Sequence, residues 1–146
     1  MNDLIESLDD FTWDNYKVIS DALVDFDEHN VEQQMFKQAS VYSYYYGLMC
    51  AAKRYMNQCS VDLTQFMSQL RKTLKREKPR EGVKLTAKDL DDLVFSDPDY
   101  AKKQTFVDDS TFKYELLKGL VRALEHKKDM LQQVSANKRE ETKLYK

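Results

Sequence analysis

The chain has 146 residues, which suits one domain, and 33 % of them are charged, while glycine and proline number only three and two. This composition favours long solvated helices over a β-sandwich or a disordered tail. No apolar run reaches 18 residues, so we expect no transmembrane helix. The acidic start, residues 1–6, lacks the chemistry of a secretory signal, and we expect a cytoplasmic protein with two reduced cysteines.

The net charge of −2 hides a strong segregation along the chain. Residues 1–30 hold nine acids and one base, whereas residues 31–84 hold ten bases and four acids. Residues 85–110 hold seven acids and three bases, and residues 111–146 hold nine bases and five acids. The local charge, not the total, therefore indicates which segments attract a polyanion.

Residues 1–30 form an acidic N-terminal segment that is predicted to contain one or two short helices. Two sets of apolar residues have helical spacing: Leu4, Ile5, Leu8 and Phe11, and then Val18, Ile19, Ala22, Leu23 and Phe26. Asp14 or Asn15 is the expected cap of the second helix. The surplus of acids either solvates these helices or meets a basic surface of the same chain or of a neighbour.

From Val31 to Arg76 the chain has no proline and a single glycine, Gly47, and it is predicted to form one long helix. Apolar residues recur here every seven residues with companions three or four later, which is typical of helices that pack along their whole length. This heptad seam comprises Met35, Tyr42, Tyr45, Met49, Met56, Leu63, Phe66 and Leu70, with Ala39, Ala52, Cys59 and Leu74 as further companion positions. Because such a helix spans roughly 70 Å, we expect it to bend near Gly47 or to extend into a partner. The seam is predicted to join the chain's own helices in part and subunits of a homo-oligomer in part.

The predicted long helix ends in a basic tract, and Pro79 and Gly82 are expected to stop it. The tract comprises Arg71, Lys72, Lys75, Arg76, Lys78, Arg80 and Lys84. Lys72, Lys75 and Arg76 have the spacing of one helical face. Such a face attracts a polyanion such as nucleic acid. A solvated helix end, where cations favour the helix dipole, explains the same residues.

The following segment is predicted to hold a short helix and a turn. Thr86 with Asp89 has the pattern of a helix N-cap, and a helix from Ala87 to Val94 follows. Residues 96–99 have the composition of a turn. A small hairpin around residues 83–85 is left open.

A final helix is predicted to begin near residues 108–110 and to end in a frayed basic tail, residues 141–146. Its apolar stripe comprises Leu117, Leu120, Val121, Leu124, Leu131 and Val134. The basic side chains of this helix are expected to make secondary contacts with nucleic acid, or to contact the acidic segment of a neighbour. They are Lys127, Lys128, Lys138 and Arg139.

The residue types of common catalytic and metal sites are largely missing from the sequence. His29 and His126 have no neighbouring ligand at metal spacing, and there is neither a glycine-rich phosphate loop nor a G-x-S-x-G elbow. Adjacent acids, as at residues 91–92, are usually helix caps. The sequence therefore predicts no enzymatic activity, no metal and no cofactor.

Several residues between positions 35 and 140 follow one another in the order of a known family. They are Tyr42-Ser43, Arg76-Glu77-Lys78, the run from Leu93 to Asp97, then Leu116, Leu117, Leu120, Ala123, Leu124 and the run from His126 to Met130. This order resembles the UvsY-type recombination mediators of phages. The chain departs from the family at residues 79–82, which replace an aromatic-Gly element, and in residues 1–30, which have no clear counterpart.

The resemblance implies a small, helical, ring-forming protein that is not an enzyme. Such mediators bind single-stranded DNA, help displace the single-strand-binding protein and load the recombinase during recombination and repair. The family places DNA-contacting lysines and arginines near the end of its first long helix. In this chain, Lys72, Lys75 and Arg76 lie at the matching position. If this protein is phage-encoded, as the resemblance implies, the expected location is the host cytoplasm.

Our main hypothesis is therefore an all-α, homo-oligomeric mediator with a helical core, residues 31–140. In this hypothesis the basic tract contacts the phosphates of single-stranded DNA. The recombinase and the single-strand-binding protein are the protein partners. One alternative is a coiled-coil scaffold or adaptor that acts only through protein contacts. Another is a small regulatory protein that binds a basic host factor through residues 1–30.

Overall fold

The structure is a computed structural model that describes residue 9 and residues 11–77 and 84–145. These residues form four α-helices and one short 3-10 helix, without a strand among them, and they confirm the all-α prediction. The helices are α1 (Trp13–Val24), α2 (Val31–Glu77), α3 (Ala87–Phe95) and α4 (Pro98–Leu144), and the 3-10 helix is Glu28–Asn30. Within the described ranges, each helix is too short or too polar to span a membrane.

The helices group into two compact units. Unit 1 comprises Met1–Ala52 and Lys113–Lys146, and unit 2 comprises Lys53–Phe112. The boundaries between the units fall inside α2 and α4, so each long helix contributes one segment to each unit.

The N-cap of helix α1 lies two residues before the first expected cap, Asp14. Thr12, not Asp14 or Asn15, is the N-cap. The Asn15 amide donates to Thr12 Oγ1 at 3.4 Å, and the Thr12 amide donates to Asn15 Oδ1 at 2.9 Å. The capping box thus uses Asn15 as the third helical residue, which explains why the sequence suggested it as a cap.

The apolar face predicted for α1 is only partly correct. Ile19 and Leu23 pack against the core of unit 1, whereas Val18 is 70 % exposed. Phe11, from the first predicted set, is buried, and residues 4–8 of that set lie outside the described residues. The α1 interface is therefore a narrow stripe rather than a broad face.

Helix α2 confirms the predicted long helix and passes through Gly47 without interruption. Gly47 is exposed, and a Cβ atom there meets nothing within 4 Å, so packing does not require a glycine. The expected helix stops, Pro79 and Gly82, lie outside the described residues.

The most buried row of α2 overlaps the predicted heptad seam in part. The buried residues of α2 are Val31, Gln38, Leu48, Ala52 and Cys59, and the seam contained two of them, Ala52 and Cys59. Apart from Leu48, these residues belong to a row spaced by seven that also holds the half-buried Tyr45. The row of seam residues that begins at Met35 is half-buried and flanks this central row, because positions four apart are neighbours on a helix.

The core of unit 1 lies where α4 packs against α1 and α2. Its buried members are Phe11, Leu48, Ala52, Leu117 and Leu120. Five of the six residues of the predicted α4 stripe, Leu117, Leu120, Val121, Leu124 and Leu131, are at most 4 % exposed, and the sixth, Val134, is half-buried. Deeply buried leucine contributes about 1.5–3 kcal/mol per side chain, so this stripe anchors the unit.

Helix α3 confirms the predicted short helix and its cap. Thr86 and Asp89 form a capping box, and Leu90 and Val94 are buried. The helix ends at Phe95, one residue beyond the prediction. No strand includes residues 84–85, the described part of the possible hairpin.

Helix α4 corrects the predicted start of the last helix, because it begins at Pro98, and it extends to Leu144. The Asp97 carboxylate accepts a hydrogen bond of 2.8 Å from the Asp99 amide and so caps the helix. Proline is well suited to the first helical position, where its missing N–H has no partner to lose. The expected start at residues 108–110 is therefore wrong. The frayed tail expected at residues 141–146 stays a prediction, although residues 141–144 are helical in the structure.

Candidate nucleic-acid interface

An exposed basic face lies at the end of α2. Lys72, Lys75 and Arg76 are exposed, while Leu70 and Leu74 on the opposite side are half-buried. None of the ion pairs found among the described residues involves these three bases. Packing of the leucines therefore directs three positive charges toward solvent on one side of the helix, which we call the α2 basic face.

Arg71 borders the α2 basic face but is paired with an acid. Its Nη2 lies 2.8 Å from Asp91 Oδ1, and both side chains are partly exposed. The pair joins α2 to α3 within unit 2. Since the Asp91 carboxylate offsets its charge, Arg71 is a weaker candidate for a phosphate contact than Lys72, Lys75 or Arg76.

The other predicted members of the basic tract fall in two groups. Lys84 is exposed just before the cap of α3. Lys78 and Arg80 lie outside the described residues. The acids Asp89 and Asp92 on α3 are exposed as well, so positive charge is concentrated on α2.

Lys127 contacts the N-terminal segment of its own chain, rather than nucleic acid or the acidic segment of a neighbour. It is only 9 % exposed, and its Nζ donates to the carbonyl oxygens of Leu23 at 2.7 Å and Asp25 at 3.0 Å. These carbonyls lie at the C-terminal end of α1, where helix acceptors have no partner within the helix. Burial lowers the pKa of the Lys127 ammonium, and the charge of Asp25 opposes that effect. The Lys127 ammonium is therefore occupied within the chain and does not contact phosphate.

The remaining predicted bases of α4 lie in different surroundings. Lys128 is exposed beside Glu125 and Asp129 on a groove of about 680 Å³ in unit 1. The Lys138 ammonium donates to the Glu28 carbonyl oxygen, and Arg139 donates to Ser135 Oγ at 3.2 Å. Lys127 and Lys138 thus contact the backbone of the acidic N-terminal segment of their own chain.

Polar contacts also join α2 to α4 in unit 1. Gln38 Nε2 donates to the Leu124 carbonyl at 2.8 Å, and the Tyr42 hydroxyl donates to Glu125 Oε1 at 2.9 Å. The hydrogen bond to Glu125 is the main cause that raises the pKa of Tyr42, and desolvation and the charge of Glu125 add to it. Tyr42 is therefore part of the joint between the helices rather than a free surface group.

The tyrosine cluster of α2 is arranged as packed rings. The Tyr42 and Tyr46 rings are stacked with centroids 5.9 Å apart. The Tyr44 and Tyr45 rings meet edge to face at 5.1 Å, and burial raises the pKa of Tyr45. Tyr44 is 53 % exposed, and its ring rests against that of Tyr45.

Gln38 and Lys127 are the two buried polar residues whose roles the sequence analysis missed. Gln38 lies midway in the row between Val31 and Tyr45, and Lys127 lies three residues after Leu124 and four before Leu131. The available signal for burial was a polar residue at a position where the helical spacing of the stripe predicts an apolar one. Such a residue is retained where its polar atoms find partners in the interior.

Among the described residues, no group of three or more His, Cys, Asp or Glu side chains is placed to hold a metal ion. Comparisons with protein-family models, with curated proteins and with solved structures found no match. The α2 basic face therefore stands as the candidate site on its own chemistry.

Proposed function

We propose that this protein binds single-stranded DNA without enzymatic activity and acts as a recombination mediator. The observation that carries the proposal is the α2 basic face, on which Lys72, Lys75 and Arg76 are exposed together. Contacts between such bases and phosphates are independent of sequence and weaken steeply as salt rises. The resemblance to phage mediators supplies the recombinase and the single-strand-binding protein as partners.

A preference for single strands requires groups that contact exposed bases. Phe106 in unit 2 is 58 % exposed and lies four residues after the exposed Lys102, so both are on one face of α4. An aromatic ring stacks on an unpaired nucleobase and contributes about 1–3 kcal/mol to the binding free energy. A neighbouring lysine or arginine binds the phosphate. Phe106 and Lys102 support binding of single strands rather than of duplex alone.

Assembly of several copies fits the mediator role. One α2 basic face offers three cations, which bind a polyanion weakly at moderate salt. Repetition of the face in a homo-oligomer increases avidity by about 10²–10⁴ without a new kind of contact. A mediator of this type needs no active site, because its action consists of binding and positioning.

The proposal is tested by fluorescence anisotropy of a labelled thymidine oligonucleotide at low and moderate salt. We expect Lys72→Ala/Lys75→Ala/Arg76→Ala to weaken binding and to reduce the salt slope by about 2, since each phosphate contact on a single strand contributes roughly 0.7. The matched control is Lys53→Ala/Arg54→Ala/Lys88→Ala, which removes the same charge from exposed residues of unit 2. Equal affinities for the wild type and the first variant contradict the assignment of this face.

A helical scaffold that acts through protein contacts alone is the second candidate function. The exposure of Phe36 at 87 % on unit 1 favours it, because a large apolar side chain in solvent is suited to a protein partner. A wild type that fails to bind the oligonucleotide even at low salt supports the scaffold and contradicts the mediator.

A further inference from the structure

An open groove of unit 1 lies between the start of α2 and the last turns of α4. Its volume is about 1080 Å³, and both helices and the 3-10 helix contribute side chains to it. All of these segments belong to unit 1, whereas the α2 basic face belongs to unit 2. The groove, which we call the end groove, is therefore a separate surface with its own chemistry.

The wall of the end groove from α4 is a stripe of hydrogen-bond donors. Five residues of α4 line the groove at a spacing of three or four residues, so they share one helical face. They are Ser135, Lys138, Arg139, Thr142 and Lys143. The acids at residues 140–141 are not among the lining residues, so the side of α4 that borders the groove is basic.

The positive charge of this wall is not neutralised by an ion pair. None of the ion pairs found among the described residues involves Lys138, Arg139 or Lys143. The Lys138 ammonium donates to the Glu28 carbonyl oxygen, and Arg139 Nη2 donates to Ser135 Oγ at 3.2 Å. Because both acceptors are uncharged, these bonds hold the cations in place and leave their charge available to an anion.

The opposite wall carries an aromatic ring in solvent. Phe36 lines the groove and is 87 % exposed, more than any other phenylalanine of the described residues. Glu32 is the acid among the lining residues, against the three bases of α4. With His29 neutral, the lining has three positive charges and one negative charge, an excess of two positive charges.

We propose that the end groove is a second site for single-stranded DNA, in which the cations of α4 bind phosphate and the Phe36 ring stacks on a nucleobase. Cations along a groove and an exposed aromatic side chain together bind single strands without reading their sequence. The Arg139 guanidinium contacts two phosphate oxygens at once, and Lys143 adds a point charge one helical turn away, about 6 Å along α4.

This inference rests on the proposed function for its ligand and adds a site in unit 1. The sequence suggested Lys138 and Arg139 as secondary contacts with nucleic acid. The structure adds Phe36 and Lys143, which no sequence signal joined to them, because α2 and α4 bring residues about 100 positions apart to one groove. A duplex hides its base faces, so the Phe36 ring favours an unpaired strand.

A protein partner fits the end groove less well than a strand does. The aromatic anchors of protein interfaces fill desolvated apolar pockets. The lining around Phe36 is mostly polar and charged, so a protein partner has to enclose the ring by itself and to bury cations of α4 without an anion. An unpaired nucleobase needs only one open face of the ring, and its phosphate supplies the anion.

The first test is the affinity of the full chain for a labelled thymidine oligonucleotide, measured by fluorescence anisotropy. We expect Phe36→Ala to weaken binding by about 5- to 100-fold, which corresponds to the loss of one stacked base. The conservative variant Phe36→Tyr keeps the wild-type affinity. An abasic oligonucleotide of the same length is the matched ligand, and the wild type and Phe36→Ala bind it equally because it has no base to stack.

The second test separates the phosphate contacts from stacking by their salt dependence. We expect Arg139→Gln/Lys143→Gln to reduce the salt slope by about 1.4, since each phosphate contact on a single strand contributes roughly 0.7, whereas Phe36→Ala leaves the slope unchanged. The matched control is Lys37→Gln/Arg122→Gln, which removes the same charge from exposed residues of unit 1 outside the end groove and keeps the wild-type slope.

Two outcomes overturn the second site. One is a wild-type affinity of Phe36→Ala for the thymidine oligonucleotide, which leaves the exposed ring to a protein partner. The other is a wild-type salt slope of Arg139→Gln/Lys143→Gln. These variants keep Lys138, which holds the Glu28 carbonyl, and circular dichroism verifies that they remain helical.

Failure of the end groove is distinguishable from failure of the α2 basic face. If only Lys72→Ala/Lys75→Ala/Arg76→Ala weakens binding, the α2 basic face stands and the second site is contradicted. If only the variants of the end groove weaken binding, the second site stands and the assignment of the α2 basic face is contradicted. A wild type that does not bind the oligonucleotide contradicts both.

Discussion

The lysines and arginines at the end of α2 and in the middle of α4 stand in similar sequence contexts, but they differ in burial and in their contacts. Lys72, Lys75 and Arg76 face solvent beside half-buried leucines. Lys127 follows an equally apolar stripe, but it is buried and donates to two backbone carbonyls of the α1 end. Its neighbour Lys128 remains exposed.

The difference teaches that the partner opposite a lysine, not its own neighbours in sequence, decides its role. A buried ammonium is stable only where acceptors replace its water. The last carbonyls of a helix are such acceptors, because they have no partner inside the helix. No described acceptor of this kind contacts the α2 basic face, so its bases remain hydrated and able to attract an anion.

The largest expected effect comes from removing the buried ammonium while keeping the apolar stem. Lys127→Met leaves the carbonyls of Leu23 and Asp25 without a donor, which costs about 1–3 kcal/mol of unfolding free energy. Thermal or urea denaturation measures the loss. The control Lys128→Met, one residue along the same helix, changes stability by less than about 0.5 kcal/mol.

The same pair of variants also tests the comparison in DNA binding. Lys127→Met is expected to retain the wild-type affinity for single-stranded DNA, since its ammonium faces the interior. Equal stability of the two lysine variants contradicts the structural role that we assign to Lys127.

A smaller effect is expected from releasing Arg71 beside the α2 basic face. Asp91→Asn removes the carboxylate that lies 2.8 Å from Arg71 Nη2 and lets the guanidinium reach a phosphate. We expect tighter binding of single-stranded DNA at low salt and a salt slope steeper by about 0.7. The lost ion pair is partly exposed and costs only about 0.2–1 kcal/mol of stability.

Asp92→Asn is the matched control for Asp91→Asn. It makes the same change of charge at the next residue, where the side chain is exposed and leaves the Arg71–Asp91 pair in place. If both variants tighten binding equally, net charge rather than release of Arg71 is responsible.

The smallest expected effect concerns the pH dependence of the joint between α2 and α4. The raised pKa of Tyr42 means that folding favours its protonated form. Its contribution to stability is complete below the ordinary value of 10.0 and is lost as pH rises through the raised pKa. Above pH 10 the wild type therefore loses stability more steeply than Tyr42→Phe does.

Denaturation at pH values on both sides of 10 measures this difference. The control Tyr44→Phe removes a hydroxyl from the same helix but keeps the bond between Tyr42 and Glu125, so it follows the wild-type curve. Parallel curves for the wild type and Tyr42→Phe show that this hydrogen bond does not couple pH to stability.

The sequence alone predicted the elements whose signals are local. Periodicity predicted α2 and the buried stripe of α4, and the Thr86–Asp89 pattern predicted the start of α3, because side-chain spacing and caps act within a few residues. The spacing of Lys72, Lys75 and Arg76 placed them on one face for the same reason. Residues 96–99 were interpreted as a turn, although Pro98, after an Asp cap, is a good first residue of a helix.

Only the tertiary structure decided which row of α2 is most buried and which lysine is internal. The place of Gln38 in that row was hidden from a count of apolar residues, since an amide is buried only when a partner such as the Leu124 carbonyl lies opposite. Lys127 required the end of α1, about 100 positions away in sequence, to supply its acceptors. Such pairings between distant segments depend on packing, which residue spacing within one segment does not specify.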